Sequence, residues 1–223
     1  MAFLNAATQV LHLNVAYFGP ALAGKLTNLR YVHERSQPAT TSDFGVAIDP
    51  FPLAGFYLAP TALSRYQGAT LCFHLSAIPG QVFADTGRKL LLKNVDGVVF
   101  VADAQVARFD ANLEMWENLQ IHLDEQGRRN VPIVCQVNKL DLPDVVAPEE
   151  LDSALNLSGL PRIEASAIGG AGVMDTLKAI VKLLILGLQS GAVRQQDFVF
   201  LKAPVEPLRL WHLFRSDLAR TPR

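Results

Sequence analysis

The sequence has few of the features that would place it quickly. Its 223 residues carry two cysteines, Cys72 and Cys135, far apart and without metal-ligand spacing, so a disulfide framework or a zinc motif is excluded. Both lie in apolar runs, which predicts buried free thiols and a reducing, cytoplasmic setting. Charge of either sign is not in excess: the formal net charge is -1, which gives no general electrostatic grip on nucleic acid. Charged residues are absent before Lys25, yet the basic n-region of a secretion signal is missing too, and QVLHLNVAYF (Gln9–Phe18) alternates as a strand does. No hydrophobic run is long enough to cross a bilayer; AIVKLLILGL (Ala179–Leu188) is short and carries Lys182.

What is present is half hydrophobic in composition, enough for one domain with a full core. Strand and helix patterns alternate. Strands are expected at Val10–Phe18, Ala69–Leu75, Gly97–Asp103, PIVCQVNK and Arg162–Ser166. Helices are expected around Lys25–Val32, Lys89–Lys93, Asn112–Gln126, PEELDSAL and Val173–Leu188. The proline-rich segment Ser36–Ser64 reads as loop, with an irregular strand near Gly55–Leu58. GVVFVAD (Gly97–Asp103) is continuously apolar, as a strand buried on both faces should be. Such alternation predicts an α/β fold, a mostly parallel central sheet with helices on both faces. Ligands in these sheets bind beyond the C-terminal strand ends.

Three loops fall at such ends. The first, GPALAGKLT (Gly19–Thr27), nearly spells the phosphate-binding G-x-x-x-x-G-K-[ST]. Gly19, Gly24 and Lys25 are in place, and backbone N–H groups at the start of the following helix add partial positive charge. Leu26 stands where the hydroxyl that ligates Mg²⁺ should be, and Thr27 comes one residue late, its side chain turned away by about 100° on a helix. By itself the motif fits a tight, ligand-free turn equally well. The second loop is NKLD (Asn138–Asp141). In guanine-nucleotide proteins an N-K-x-D at such a place reads the base: Asp141 would accept from N1–H and the exocyclic amine, the Lys139 stem would cover a ring face, and Asn138 would tie the loop to the phosphate loop; an ordinary strand-end turn into a helix is the alternative. The third, EASA (Glu164–Ala167), falls where Ser166 and Ala167 would offer a backbone N–H to guanine O6.

With these loops in order, the chain resembles small Ras-like GTPases and, more narrowly, the bacterial MglA-like family of gliding-motility and cell-polarity GTPases. The resemblance rests on YFGPALAGKLTNL, FHLSAIPGQVF, RKLLLKNVDGVVFVADAQ, NKLDLP and GVMDTLKAIVKLL, and runs from Asn5 to Gly191. It implies a Ras-like P-loop fold over residues 1–190, GTP or GDP as ligand, and guanine-nucleotide-dependent switching. It also implies a roadblock-type, MglB-like homodimer as partner, downstream effectors, and recruitment to a cell pole or a membrane-associated complex. Gly24, Lys25, Asn138, Lys139 and Asp141 match the family, and Gln81, after Gly80, matches the glutamine that orients attacking water.

Four positions depart from the family. Leu26 replaces the metal-ligating hydroxyl and Ala21 a loop glycine; Ala77 stands where typical Ras-like proteins keep an aspartate that this family already lacks. Pro50 and Pro52 align where the family carries T-x-R, leaving Arg35 and Arg65 at the segment's edges. Hydrolysis is therefore expected to be weak or lost, with nucleotide binding retained and function exerted through partners. A second reading is an active GTPase with an arginine supplied by a partner and Mg²⁺ held by phosphates, water and Thr40 or Thr41; a third is a nucleotide-free structural protein.

The five histidines do not cluster in sequence and are expected to be packed or solvated rather than ligands. Residues 191–223 form an extension: DFVFLKAPVEP reads as an added edge strand, and Pro207–Arg220 as a basic amphipathic helix that folds back on its own domain, docks on a partner, or lies on a membrane.

Overall fold

The computed structural model describes residues 2–37, 40–47, 52–60, 65–79, 85–190 and 199–201. Among these residues lie nine strands, β1 (Phe3–Asn5), β2 (Val10–Phe18), β3 (Gly45–Ala47), β4 (Leu53–Leu58), β5 (Thr70–Ala77), β6 (Gly97–Asp103), β7 (Ile133–Asn138), β8 (Arg162–Glu164) and β9 (Val199–Leu201). Five α-helices accompany them: α1 (Lys25–Arg35), α2 (Asp85–Leu92), α3 (Phe109–Glu125), α4 (Pro148–Leu155) and α5 (Val173–Gln189).

The strands form one sheet in the order β3-β4-β5-β2-β6-β7-β8. From β5 through β8 every neighbour is parallel, while β4 and β3 add antiparallel at one end. The expected α/β fold with a mostly parallel sheet is what the chain adopts. β2 is the switch point: β5, which follows it, lies on one side and β6 on the other. Crevices for ligands open at such points, beyond the strand C-termini.

Alternation along β2 divides the interior into two cores. Leu11, Leu13, Val15 and Tyr17 face α1 and α5, whose Leu29, Val32, Leu177, Ile180 and Leu184 complete one core. Ala16 and Phe18 face the other way, with Phe100 of β6 and Met115, Leu119 and Leu123 of α3. β6 is buried at every position, which explains its unbroken apolar run.

Three regions differ from the sequence reading. The irregular strand near Gly55–Leu58 begins at Leu53 and is preceded by β3, so the segment read mostly as loop contributes an antiparallel pair. The N-terminal β1 was not foreseen. It pairs antiparallel with the first three residues of β2, Phe3 opposite His12, and β9 runs parallel to it on the other side. Three residues are too few for an alternating pattern to be legible. The strand expected at Arg162–Ser166 ends at Glu164, because the Ser166 N–H turns out of the ladder to donate to Ala171 O.

Candidate nucleotide site

β2 ends at Phe18 and the chain turns sharply. Gly19 and Gly24 hold φ of 137° and 96°, a region open to glycine. A Cβ on Gly19 would run into the carbonyl of Val101, and one on Gly24 into the Asn138 amide, so both glycines also serve close approach. α1 starts at Lys25, and its first intrahelical bond is Asn28 N–H to Gly24 O, 3.0 Å. The N–H groups of Lys25, Leu26 and Thr27 therefore have no helical acceptor and lie at the positive end of the helix.

Cationic side chains line this loop. Lys25 Nζ donates to Gly19 O at 2.9 Å and Pro20 O at 2.6 Å. Arg108, in a 3-10 turn after β6, donates from Nη2 to Ala21 O at 2.9 Å. Burial, with the nearby Arg88 and Arg108 charges, pushes the Lys25 ammonium down to about 8. An anion placed among these groups would relieve that repulsion.

Asn138, at the end of β7, joins two loops. It is 1% exposed; its Nδ2 donates to Ala23 O at 2.7 Å, and its Oδ1 accepts from the Ala167 N–H at 2.8 Å. Lys139 adopts φ 71° and points its ammonium at the fully buried Asp103 carboxylate, 2.6 Å, and at Gln105 Oε1, 3.0 Å. Asp141 is exposed at the loop's far end. Ser166 and Ala167 lie beside this loop, their N–H groups engaged with Ala171 O and Asn138 Oδ1 respectively. Ile168, 82% exposed, carries the next N–H along.

The residues expected to act together are thus gathered at one sheet edge: Gly19, Gly24 and Lys25 from the first loop, Asn138 and Lys139 from the second, Ser166 and Ala167 from the third. Leu26 packs its side chain against the main core, and Thr27 is exposed. The Leu26 position therefore does not fit a protein-ligated Mg²⁺. Thr40 and Thr41 both donate their hydroxyls to Gln37 O, at 2.9 and 3.3 Å. Gln81, Gly80 and Pro50 lie outside the described residues, as does Pro207–Arg220.

Sequence reasoning gave no role to Asp103, Arg108 or Asn28. Asp103 Oδ2 lies 2.6 Å from Lys139 Nζ and 4.0 Å from Arg108 Nε, so one carboxylate oxygen serves both loops. Asn112 of α3 clamps its backbone with two hydrogen bonds of 2.9 and 2.8 Å. A carboxylate closing an otherwise apolar strand was the available signal. Asn28 donates to Gly24 O at 3.0 Å and accepts from Gln136 Nε2 at 2.9 Å, which in turn donates to Thr176 Oγ1 at 2.9 Å. This buried chain couples α1, β7 and α5, and no local pattern marks it.

A parallel sheet whose switch-point loop is laced to an N-K-x-D loop by one buried asparagine has the architecture of the Ras-like P-loop proteins. The family model described as ADP-ribosylation factor family matches residues 65–184. Over 194 residues the chain is 43% identical to the mutual gliding-motility protein MglA of Myxococcus xanthus, covering 86% of this chain and 100% of that one. It is also 29% identical over 119 residues to elongation factor 4 of Syntrophus aciditrophicus, covering 52% of this chain and 19% of that protein. The chain belongs to the MglA-like family of Ras-like small GTPases.

Proposed function

We propose that the chain binds GTP and GDP and acts by engaging partner proteins, with weak or absent hydrolysis of its own. The observation that carries this reading is Asn138, which holds the phosphate loop and the Ala167 loop in one register. In that register residues 1–190 form the nucleotide-binding domain. The N–H groups of Gly24 to Thr27 and the Lys25 ammonium take the phosphates. Asp141 reads the guanine edge, the Lys139 stem covers the ring, and, with the Ser166 and Ala167 N–H groups already engaged, the N–H of Ile168 that follows them meets O6. None of these contacts needs the side chain of residue 26.

Turnover is another matter. Phosphoryl transfer depends on metal, on a positioned water and on positive charge at the transferring group, and an arginine finger is worth about 10³–10⁵ in rate. Leu26 is turned into the core, and the first-switch segment carries prolines where the family carries T-x-R. Gln81 remains as the water-orienting residue. A nucleotide held without a firmly ligated metal has less leverage over the first switch, which weakens the order–disorder change between GTP and GDP states and favours action through partner binding.

The kinship with a protein named for gliding motility supports a role in motility or polarity regulation, exerted through a roadblock-type homodimer and downstream effectors. Among the described residues no helix is long and apolar enough to cross a membrane. We read the chain as cytoplasmic, recruited to its site of action by partners or by residues 191–223.

Titration with fluorescent GDP and GTP analogues, first with Mg²⁺ and then with EDTA, tests the reading. Guanine-specific binding that ignores EDTA is the expected result. Binding that collapses in EDTA would favour a GTPase whose metal is held by other groups and whose arginine comes from a partner. Absence of binding in both conditions would overturn the proposal.

A further inference from the structure

At the opposite end of β2 from the phosphate loop, three buried side chains converge that the nucleotide reading does not use. The β2–β5 ladder sets His12 beside Cys72 and Asn14 beside His74. Because side chains alternate, His12, Cys72 and His74 all leave the sheet on the face away from α1 and α5. His12 Nδ1 and His74 Nε2 are 2.8 Å apart, and Cys72 Sγ lies 3.9 Å from the same His74 nitrogen. One ligand atom from each residue falls within 4.8 Å of the others. His74 Nδ1 is buried and has no hydrogen-bond partner.

Burial holds His12 down to about 4 and His74 down to about 3, so both imidazoles are neutral at pH 7, and it pushes the Cys72 thiol up to about 12, so the thiol yields its proton only to the incoming ion; the hydrogen shared between the two facing ring nitrogens moves to the donor ring's other nitrogen when both ligate. Cys135 leaves the sheet on the same face but from β7, with β6 between it and β2, so Cys72 is the thiol that the β2–β5 ladder brings to the histidines. Two imidazoles and a thiol are a soft donor set, suited to Cu⁺ or Zn²⁺ and poor for Mg²⁺. With metal–ligand bonds of about 2.0–2.3 Å, three donors around one ion sit roughly 3.3–3.8 Å apart. The histidine pair must open by roughly half an ångström to reach that spacing, within the range of small side-chain rotations.

Charge decides between the ions. The site is buried, and Phe3 of β1 lies flat on the His12 ring, with centroids 4.3 Å apart and planes 7° from parallel. A thiolate with Zn²⁺ would leave a net positive charge in this apolar place, which is costly; a thiolate with Cu⁺ leaves none. Three donors also suffice for Cu⁺, and the described residues bring no fourth to the cluster. We propose that His12, Cys72 and His74 form a three-donor site for a soft monovalent cation, Cu⁺, bound as a neutral thiolate complex. Binding replaces the Cys72 S–H bond with an S–Cu bond and releases that proton to solvent, without change of oxidation state. Phe3 covers the site, and its strand is flanked by β2 and β9, so occupancy stiffens the junction between the N-terminal strand and residues 199–201.

The inference is independent of nucleotide binding, since seven residues of extended chain, about 20 Å, separate His12 from Gly19. The test uses the full chain, reduced and anaerobic, with Cu⁺ supplied as its bicinchoninate complex and Zn²⁺ in a parallel titration. One Cu⁺ withdrawn per chain, one proton released per ion, and an X-ray absorption spectrum with one sulfur and two nitrogen neighbours are expected. C72S is expected to weaken Cu⁺ binding at least about 100-fold, since it removes a ligand outright, while C135A binds as the parent does. No uptake by the parent chain, a spectrum without sulfur, tighter binding of Zn²⁺ than of Cu⁺, or a folded C72S chain with parental affinity would each overturn it. Should C72S fail to fold, the parent's spectrum decides.

Discussion

Asn138→Ala isolates the contact on which the nucleotide site depends. The side chain is almost fully buried, donates to Ala23 O at 2.7 Å and accepts from the Ala167 N–H at 2.8 Å. Truncation removes two hydrogen bonds, each worth about 0.5–1.5 kcal/mol net, and strands a carbonyl and an N–H that cost about 1–3 kcal/mol apiece if water cannot reach them. A loss of about 2–5 kcal/mol follows, the upper part of that range applying if the space stays dry. Because the two partners belong to the phosphate loop and the third loop, the damage is to their mutual register as well as to stability. Urea unfolding of the ligand-free chain should show the midpoint moving down with an unchanged slope. GDP-analogue binding should weaken in a folded sample by more than a contact to the base alone would account for. A change in stability below about 0.5 kcal/mol, with nucleotide affinity intact, would refute the claim that this asparagine holds the loops together.

Gly24→Ala should be as harmful to binding, because φ of 96° strains any L side chain and the new methyl would meet the Asn138 amide; calorimetric titration of GDP against a folded variant measures it. Leu26→Thr restores a hydroxyl at the cost of core contacts, so it should lower the melting temperature by a few degrees, as about 1 kcal/mol would, while making nucleotide binding sensitive to EDTA. Lys25 has a folded-state value near 8 against an ordinary 10.5, so between those values the unfolded chain holds more protons. Lys25 therefore contributes a stability that increases as pH rises from 8 to 10.5, and Lys25→Met should abolish that increment in urea melts across the window. His12 and His74 have folded values of about 4 and about 3 against 6.5, so the metal-free chain should lose stability as pH falls below 6.5, and His74→Gln should flatten that acid limb.

Much of the site was legible because it is built from chain neighbours. Gly24 and Lys25 sit next to each other at a strand–helix turn, and Asn138–Asp141 closes an apolar strand; period and punctuation suffice for both. Residues that act across the sheet left weaker traces. Arg108 reaches Ala21 O from a turn whose sequence shows nothing unusual, and Gln136 holds Asn28 and Thr176 from within a buried strand. The histidines were read as unclustered because they are unclustered along the chain, yet the β2–β5 register brings His12 and His74 within 2.8 Å.

The alternation of β2 and β5 to β8 with the helices, the placing of three loops at strand ends and the loss of the hydroxyl at residue 26 were determined by the sequence alone, since each depends on periodicity or on residue identity over a few positions. Tertiary structure decided where Leu26 points, which carboxylate braces Lys139 and Arg108, and which imidazoles meet Cys72. Those outcomes depend on how distant elements pack and on ladder register. A shift of one residue along β2 would send His12 to the other side of the sheet from Cys72 and His74.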